Sequence, residues 1–212
     1  MKSSLEVRFL GQSGFLLKTS SSSLLIDPYN DDSGRYDGDI LYCTHHHFDH
    51  TGGVDTFLER NSDAIFLCNE QVADKQEKWK DRITIIEDGQ QFTVSDWHFS
   101  FTKLKHGVFG GTENIAVEAQ YGDLKFAHIG DAKEFGTMVS RVIDVLAVPI
   151  SGGPTASPSK VLDTLKNFES FPSVVIPMHW LIRRPDSFCK NFYKLFPEKR
   201  CIVPKDGEIV TI

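Results

Sequence analysis

The chain has few cysteines and no long hydrophobic runs. Its 212 residues include four cysteines, and no two of them form a CxxC pair; they are Cys43, Cys68, Cys189 and Cys201. This scatter predicts reduced, mostly buried thiols rather than a disulfide framework or a zinc ribbon. The apolar runs span only a few residues, whereas a membrane helix needs roughly 18 or more. We therefore expect a soluble protein with no membrane partner.

Two further signals are missing, a secretion signal and a basic surface. Residues 1–17, MKSSLEVRFLGQSGFLL, mix charged and apolar residues without an apolar core followed by a cleavage site, so the cytoplasm is the expected compartment. The net charge is −6, and the basic residues do not gather into a long stripe. Because nucleic-acid binding leaves such an electrostatic footprint, we expect a small-molecule substrate and no nucleic-acid partner.

Short apolar or alternating runs recur along the whole chain, and each is typical of a β-strand. They include LEVRFL, SLLIDPY, DILYCTH, WHFSFTKL, IAVEAQYG, VLAVPISG and VVIPMHW. Helical spacing is rarer and occurs after Gly53, after Gln71, around Val161 and in SFCKNFYKLF. Strands packed into sheets with helices outside them predict a layered α/β (α+β) fold. The length suits one domain, spanning residues 1–212.

The most informative stretch for chemistry is LYCTHHHFDHTGG, residues 41–53. It places four of the eight histidines and one aspartate within residues 45–50, directly after an apolar strand. Imidazole and carboxylate groups suit zinc, manganese or iron. Alternate residues of an extended segment point the same way, so His45 and His47 can bind one ion while His46 faces away. Asp49 and His50 are then placed to bind a second ion.

The segment THHHFDH matches the T-H-x-H-x-D-H signature of the metallo-β-lactamase superfamily at every specified position, and the chain resembles that superfamily. Three later residues occur in the expected order, His106 in KLKHG, Asp131 in AHIGDA and His179 in VIPMHW. Over nearly its whole length the chain is also similar to the small metal-dependent hydrolases related to ascorbate-6-phosphate lactonase. It departs from them at Gln12, where histidine is common, and at Ala132, where threonine is usual.

The resemblance implies a four-layer αββα metallo-β-lactamase sandwich, with the site in a groove along one edge. It also implies two divalent metal ions as cofactors, with zinc favoured and manganese or iron as alternatives. The implied ligands are His45, His47 and His106 for the first ion, Asp49, His50 and His179 for the second, and Asp131 as a bridge between them.

The expected activity is metal-dependent hydrolysis of a small-molecule ester, lactone, amide or phosphodiester by a hydroxide that bridges the two ions. Asp49 is the candidate catalytic residue, as a proton carrier in addition to a ligand. Arg183 and Arg184 are candidates for binding an anionic substrate, since guanidinium groups suit carboxylate and phosphate; a solvated basic pair is the alternative. Two other function classes stay open, a metal-binding sensor or di-iron redox module without hydrolysis, and a nuclease of the same fold.

Three other residues have alternative interpretations. His98 alternates with apolar neighbours and is expected on a sheet face rather than at a metal. His128, three residues before Asp131, is expected to be a satisfied core histidine, with support of the site as the alternative. Asp27, in IDPY, is either a partner behind the ligands or a turn-former before Pro28.

Overall fold

The computed structural model describes residues 4–107, 111–180 and 185–211. These residues form two seven-stranded sheets with helices on their outer faces. The strands are β1 (Glu6–Gly11), β2 (Gly14–Lys18), β3 (Ser23–Ile26), β4 (Ile40–Cys43), β5 (Ile65–Cys68), β6 (Ile83–Ile85), β7 (Gln91–Val94), β8 (Trp97–Leu104), β9 (Asn114–Tyr121), β10 (Leu124–His128), β11 (Val145–Pro149), β12 (Val174–Met178), β13 (Arg200–Cys201) and β14 (Ile209–Thr211). The helices are α1 (Asp31–Gly34), α2 (Phe48–Thr51), α3 (Val54–Arg60), α4 (Glu70–Ala73), α5 (Pro158–Leu165) and α6 (Pro185–Leu195), with 3₁₀ turns at Glu77–Arg82 and Gly136–Ser140.

Each sheet is half antiparallel and half parallel. The first sheet has the order β14-β1-β2-β3-β4-β5-β6, and the second has the order β13-β12-β11-β10-β9-β8-β7. Strands β3 to β6 run parallel in the first sheet, and strands β10 to β13 run parallel in the second. Loops that follow parallel strands gather at one edge of a sheet, where ligand sites of α/β proteins are commonly found.

Aromatic side chains fill the space between the two sheets. Phe15 of the first sheet meets Phe126 of the second with ring centroids 5.4 Å apart, and Tyr42 meets Phe101 at 5.3 Å. All four side chains are almost completely buried. Such pairs bury large apolar areas and add specific ring contacts, so this central layer holds the sheets face to face.

The outer face of each sheet is covered by helices whose apolar spacing was visible in the sequence. Helix α3 packs on the first sheet through Val54, Phe57 and Leu58. Helices α5 and α6 pack on the second sheet, α5 through Val161, Leu162 and Leu165, and α6 through Phe188 and Phe192. The predicted αββα sandwich is confirmed. No helix in the described part of the chain is long and apolar enough to cross a membrane.

Local sequence explains why these elements form. In β8, Trp97, Phe99 and Phe101 alternate with more exposed residues, as a strand with one buried face requires. Helix α5 begins after Ser157, whose hydroxyl accepts a hydrogen bond from the Lys160 amide at 3.2 Å. A serine before the first turn satisfies an amide that has no partner within the helix.

The prediction for the cysteines was right for one pair and wrong for the other. Cys43 and Cys68 are buried free thiols, and burial raises the pKa of Cys68 to about 12. Cys189 of α6 and Cys201 of β13 instead form a disulfide. The sequence did not indicate this pair because the two cysteines meet only when α6 packs beside the short strand β13.

Candidate metal centre

The candidate site lies at the carboxyl ends of strands from both sheets. The segment from His45 to His50 follows β4 of the first sheet and runs into α2. In the second sheet His106 follows β8, Asp131 follows β10 and His179 follows β12. These segments are far apart in sequence, so the site forms only when the two sheets pack together.

The structure brings all seven predicted residues together in two neighbouring groups. In each group the candidate ligand atoms lie within 4.8 Å of one another; the groups are His45, His47, His106 and Asp131, and then Asp49, His50 and His179. Most of these side chains are buried, whereas His47 and Asp49 are partly accessible. Clustered imidazoles and carboxylates of this kind are the ligand set of zinc, manganese and iron sites.

In the first group, two histidines from the same loop face a third from the opposite sheet. His45 Nε2 lies 3.1 Å from His47 Nδ1. The ring centroid of His106 lies 4.9 Å from that of His45 and 5.1 Å from that of His47. The outer ring nitrogens are held by oxygens, since His45 Nδ1 lies 3.0 Å from Thr44 Oγ1 and His106 Nδ1 lies 2.9 Å from the Asp131 carbonyl oxygen. Such contacts fix ring orientation.

The second group joins α2 to the loop after β12. His179 Nε2 lies 3.0 Å from Asp49 Oδ2, and the rings of His50 and His179 stack with centroids 5.5 Å apart. His179 Nδ1 lies 3.1 Å from Ser151 Oγ, which leaves Nε2 facing the group. This group therefore draws its members from both sheets.

Asp131 lies between the two groups. Its Oδ1 is 3.4 Å from His50 Nε2, its Oδ2 is 3.4 Å from His179 Nε2, and the same Oδ2 is 3.9 Å from His45 Nε2. The carboxylate thus faces ligand candidates of both groups, which is the position that a bridging ligand requires.

Asp27 supports the cluster from behind, which decides between its two interpretations. Its Oδ2 lies 2.6 Å from His50 Nδ1 and accepts a hydrogen bond from Thr44 Oγ1 at 2.7 Å, and its Oδ1 accepts one from the Thr44 amide at 2.8 Å. A carboxylate behind a histidine fixes the ring and the tautomer and raises the basicity of the other ring nitrogen. Asp27 therefore orients both His50 and the start of the histidine segment.

His128 is a satisfied core histidine, as expected. Its Nε2 donates to the Ser13 carbonyl oxygen at 2.8 Å, and its Nδ1 accepts from the Gly130 amide at 3.1 Å. Both ring nitrogens are therefore used by the backbone. These contacts join the β1–β2 turn of the first sheet to the loop that carries Asp131.

Three residues at the site have left-handed backbone conformations. The φ angles are 52° at Gln12, 47° at Asp27 and 49° at His179, and only Ser95 shares this property among the other non-glycine residues that the structure describes. A positive φ is uncommon for residues with a Cβ and often marks functional sites. The backbone is therefore strained at three points around this cluster.

The electrostatics favour a bound cation. Burial lowers the pKa of His45 and His47, and neighbouring histidines lower both further, so these rings are neutral with free lone pairs. Burial by itself raises the pKa of Asp131, but the charge of His50 outweighs it and the pKa lies below its ordinary value. Neutral imidazole and ionised carboxylate are the forms that bind metals.

Two buried atoms in the cluster have no hydrogen-bond partner among the described residues. This observation shows whether the site fits a metal. The two atoms are His50 Nε2 and Asp131 Oδ1, which lie 3.4 Å apart. In its neutral form, with Nδ1–H donated to Asp27, His50 presents the Nε2 lone pair to the cluster beside the Asp131 Oδ1 lone pair, so a bound cation would take the place of the second imidazole proton. An unpaired buried polar atom is costly, and a cation shared by the two would remove the cost. The residues present therefore fit a metal ion.

The remaining predicted residues lie outside the cluster or outside the part of the chain that the structure describes. His46 belongs to neither group, in line with its predicted orientation. His98 is exposed on a sheet face, with its Nδ1 3.0 Å from Thr93 Oγ1, as expected. Arg183 and Arg184, the candidate substrate residues, lie outside the residues that the structure describes.

Sequence reasoning did not identify several residues that hold the ligands. Thr44 contacts His45 and Asp27, Ser151 contacts His179, and the side chain of Gln12 contacts Asp49. Asn114 accepts a hydrogen bond from the Asp131 amide at 3.0 Å. Small polar residues are too common for sequence to single them out, although Thr44 directly precedes the histidines.

Comparison with known proteins agrees with the geometry. The family model for the β-lactamase superfamily domain matches residues 6–179. A UPF0173 metal-dependent hydrolase of Salinibacter ruber is 27% identical over 195 residues, which cover 83% of this chain and 84% of that protein.

Two solved structures share the fold. Igni18, described as a novel metallo hydrolase from Ignicoccus hospitalis, superposes with a TM-score of 0.85 at 21% identity, covering 99% of this chain and 98% of that chain. The metallo-β-lactamase fold protein YhfI of Bacillus subtilis has a TM-score of 0.79 at 14% identity, with 100% of both chains covered.

Proposed function

Because the chain belongs to the β-lactamase superfamily, whose family model matches residues 6–179, we propose that it is a metal-dependent hydrolase with two divalent ions. The observation that carries this proposal is the pair of adjacent ligand groups with the Asp131 carboxylate between them. The description of the Salinibacter ruber relative as a metal-dependent hydrolase supports the same activity.

We assign the first ion to three histidines and the second to one carboxylate and two histidines, with a bridging carboxylate between them. The residues are His45, His47 and His106, then Asp49, His50 and His179, with Asp131 as the bridge. Zinc is the favoured metal because imidazole nitrogen and carboxylate oxygen are its usual ligands outside cysteine sites, and manganese or iron are alternatives.

Two divalent ions at these groups would supply a water of lowered pKa and would polarise the bond to be cleaved. The chain's own residues supply position and proton transfer. Burial by itself raises the pKa of Asp49, but the hydrogen bond from His179 and the charge of His50 outweigh it, so Asp49 is ionised at neutral pH. Such a carboxylate is a weak base, so we propose that Asp49 serves first as an ionised ligand and, because it is partly accessible, as a transient proton carrier to solvent.

We propose a small molecule with an ester, lactone, amide or phosphodiester bond as the substrate. The net charge of −6 argues against a nucleic acid, because phosphate backbones bind basic surfaces. We also propose that Arg183 and Arg184 bind an anionic group of the substrate. The fold alone does not choose a substrate, since proteins that share a fold differ in the loops around their sites.

The test combines metal content with hydrolysis. Metal per chain is measured by mass spectrometry on protein purified without added metal, and hydrolysis is measured on p-nitrophenyl esters, lactones, amides and bis-p-nitrophenyl phosphate. Two ions per chain and turnover that chelation abolishes are expected. The Asp131→Asn variant should lose metal and turnover, whereas Asp123→Asn, in an exposed turn, should keep both.

Other outcomes would overturn the proposal in distinct ways. One ion per chain would contradict the dinuclear assignment. Two ions with no hydrolysis of any of these bonds would overturn the hydrolase and favour a metal-binding sensor or a redox module. Cleavage of single-stranded RNA alone would favour a nuclease.

A further inference from the structure

The turn between β1 and β2, residues 11–14, contacts every member of the second ligand group. Gln12 Nε2 donates to Asp49 Oδ2 at 3.0 Å, and the Gln12 carbonyl oxygen accepts from the His179 amide at 2.8 Å. Ser13 Oγ lies 3.2 Å from His50 Nδ1. One short turn thus joins a carboxylate and a histidine of α2 to a histidine that follows β12.

The turn is itself held rigidly. Gly11 and Gln12 have φ angles of 94° and 52°, and Ser13 is completely buried. The Ser13 carbonyl oxygen accepts the hydrogen bond from His128 Nε2 at 2.8 Å, which anchors the turn to the second sheet. Because the Gln12 and Ser13 carbonyl oxygens are both hydrogen-bonded, the uncommon backbone conformation of Gln12 is fixed, and its side chain is directed toward Asp49.

The first ligand group has different supports. His45 is held by Thr44, His106 by the Asp131 carbonyl oxygen, and His47 Nε2 lies 3.4 Å from Thr112 Oγ1. Among the hydrogen bonds of the described residues, none joins residues 11–14 to His45, His47 or His106. Residues 11–14 therefore contact the second group directly, whereas they reach the first group only through other residues.

Asp49 Oδ2 receives contacts from two nitrogens, His179 Nε2 and Gln12 Nε2, each 3.0 Å away. An imidazole nitrogen that binds a metal carries no proton and cannot donate to a carboxylate. The Gln12 amide keeps its protons at every pH that the fold tolerates. It is therefore the donor that persists on Asp49 when His179 serves as a ligand.

We propose that Gln12 is a positioning residue that fixes the rotation of the Asp49 carboxylate and thereby sets the affinity of the second group for its ion, without affecting the first. This inference rests on the proposed dinuclear function. Glutamine donates one side-chain hydrogen bond here and does not need to bind a metal.

The test is the stepwise binding of Zn²⁺ to metal-free protein, measured by competition with a chromophoric chelator. Gln12→Met removes the donor but keeps the length of the side chain and the backbone carbonyl that binds His179. We expect one of the two binding steps, the one that fills the second group, to weaken about 10–100-fold, as for other partners of metal ligands, while the other step is unchanged. Gln12→His, which restores a donor, should recover part of the loss.

The control is Gln91→Met, in an exposed position of β7, and both binding steps should match the wild type. Unchanged binding in Gln12→Met, with two ions bound by the wild type, would overturn the role of Gln12 and leave the dinuclear hydrolase intact. Equal weakening of both steps would also overturn it, because the effect would then be a general loss of structure. Fewer than two ions in the wild type would overturn both proposals.

Discussion

Asp27 Oδ2 and His50 Nδ1 lie 2.6 Å apart with both side chains fully buried. Burial by itself lowers the pKa of His50, but the carboxylates of Asp27 and Asp131 outweigh it and raise the pKa well above its ordinary value. The other two candidate ligands of the second group also have a side-chain partner, Gln12 for Asp49 and Ser151 for His179. These partners orient the ligand atoms.

Replacing Asp27 by asparagine should weaken metal binding while keeping the shape of the side chain. The variant loses the charge that makes His50 a more basic ligand, so the affinity for the ion at the second group should fall about 10–100-fold. Calorimetric titration of the metal-free protein with Zn²⁺ measures this. Asp123→Asn is the control, and equal affinities in the two variants would contradict the role of Asp27.

Replacing Gly130 by alanine should damage the loop that carries Asp131. Gly130 has a φ of 54°, and an added Cβ would collide with Asn114 Oδ1 and lie 2.8 Å from Thr44 Oγ1. Asn114 Oδ1 also accepts from the Asp131 amide. We expect a loss of about 1–3 kcal/mol in the free energy of unfolding, together with loss of metal.

Urea unfolding and metal content measure both effects of Gly130→Ala. Gly89→Ala is the matched control, because Gly89 also has a positive φ of 77° but no atom within 4 Å of an added Cβ. The control separates backbone strain from the collision. A similar loss in both variants would show that crowding around Gly130 is not the cause.

The metal-free protein should lose stability in mild acid, partly through His128. Burial lowers the pKa of His128, which is neutral in the fold with both ring nitrogens bonded to the backbone. As the pH falls below about 6.5, the unfolded chain takes up a proton that the folded His128 does not. Stability then decreases with falling pH, by up to about 1.4 kcal/mol per pH unit for one proton.

Urea unfolding between pH 5.5 and 7.5 tests this pH dependence. His128→Gln should have a shallower slope of unfolding free energy against pH than the wild type, whatever its absolute stability. His45 and His47 contribute to the slope in the same direction, whereas His50, whose pKa is raised, contributes in the opposite direction above about pH 6.5. These three contributions are present in both proteins, so the difference in slope reports His128. Exposed Gln91→Met, which changes no titratable group, should keep the wild-type slope, and a wild-type slope in His128→Gln would contradict the prediction.

The Cys189–Cys201 disulfide should stabilise the packing of α6 against β13. It closes a loop with a sequence separation of 12, for which restriction of the unfolded chain is worth about 2–3 kcal/mol. Cys201→Ser should lose this amount in urea unfolding without reductant. The wild type with reductant should match the variant; no effect of reductant on the wild type would show that the disulfide is absent in solution.

The periodic parts of the fold were predictable from the sequence. Alternation in residues 97–104 and helical spacing around Val54 and Val161 each reflect one buried face, and the structure buries those faces. Strand β7 was not predicted, because Gln91–Val94 is short and mostly polar. Its pairing with β8 provides the stabilisation that its own sequence does not indicate.

The candidate ligands were also predictable, because chemistry restricts which residues can bind metals. Residues 45–50 stand out by their spacing after an apolar strand, the three later ligands were those that the resemblance to the metallo-β-lactamase superfamily implies, and the structure gathers all seven. Their supporting partners were not predictable to the same degree. Gln12 and Ser151 belong to common residue types, and their contacts with Asp49 and His179 join positions far apart in sequence.

The sequence by itself determined a layered α/β class, through strand and helix periodicity, and a histidine- and aspartate-rich segment suited to metals, because these are local properties of the chain; the αββα arrangement and the full ligand set were what the resemblance to the metallo-β-lactamase superfamily implied. Only the tertiary structure decided which partner holds each ligand, that Asp27 supports His50 rather than only forming a turn, and that Cys189 pairs with Cys201. These relationships depend on how the two sheets and the outer helices pack, and packing distances between residues remote in sequence are not encoded in any short segment.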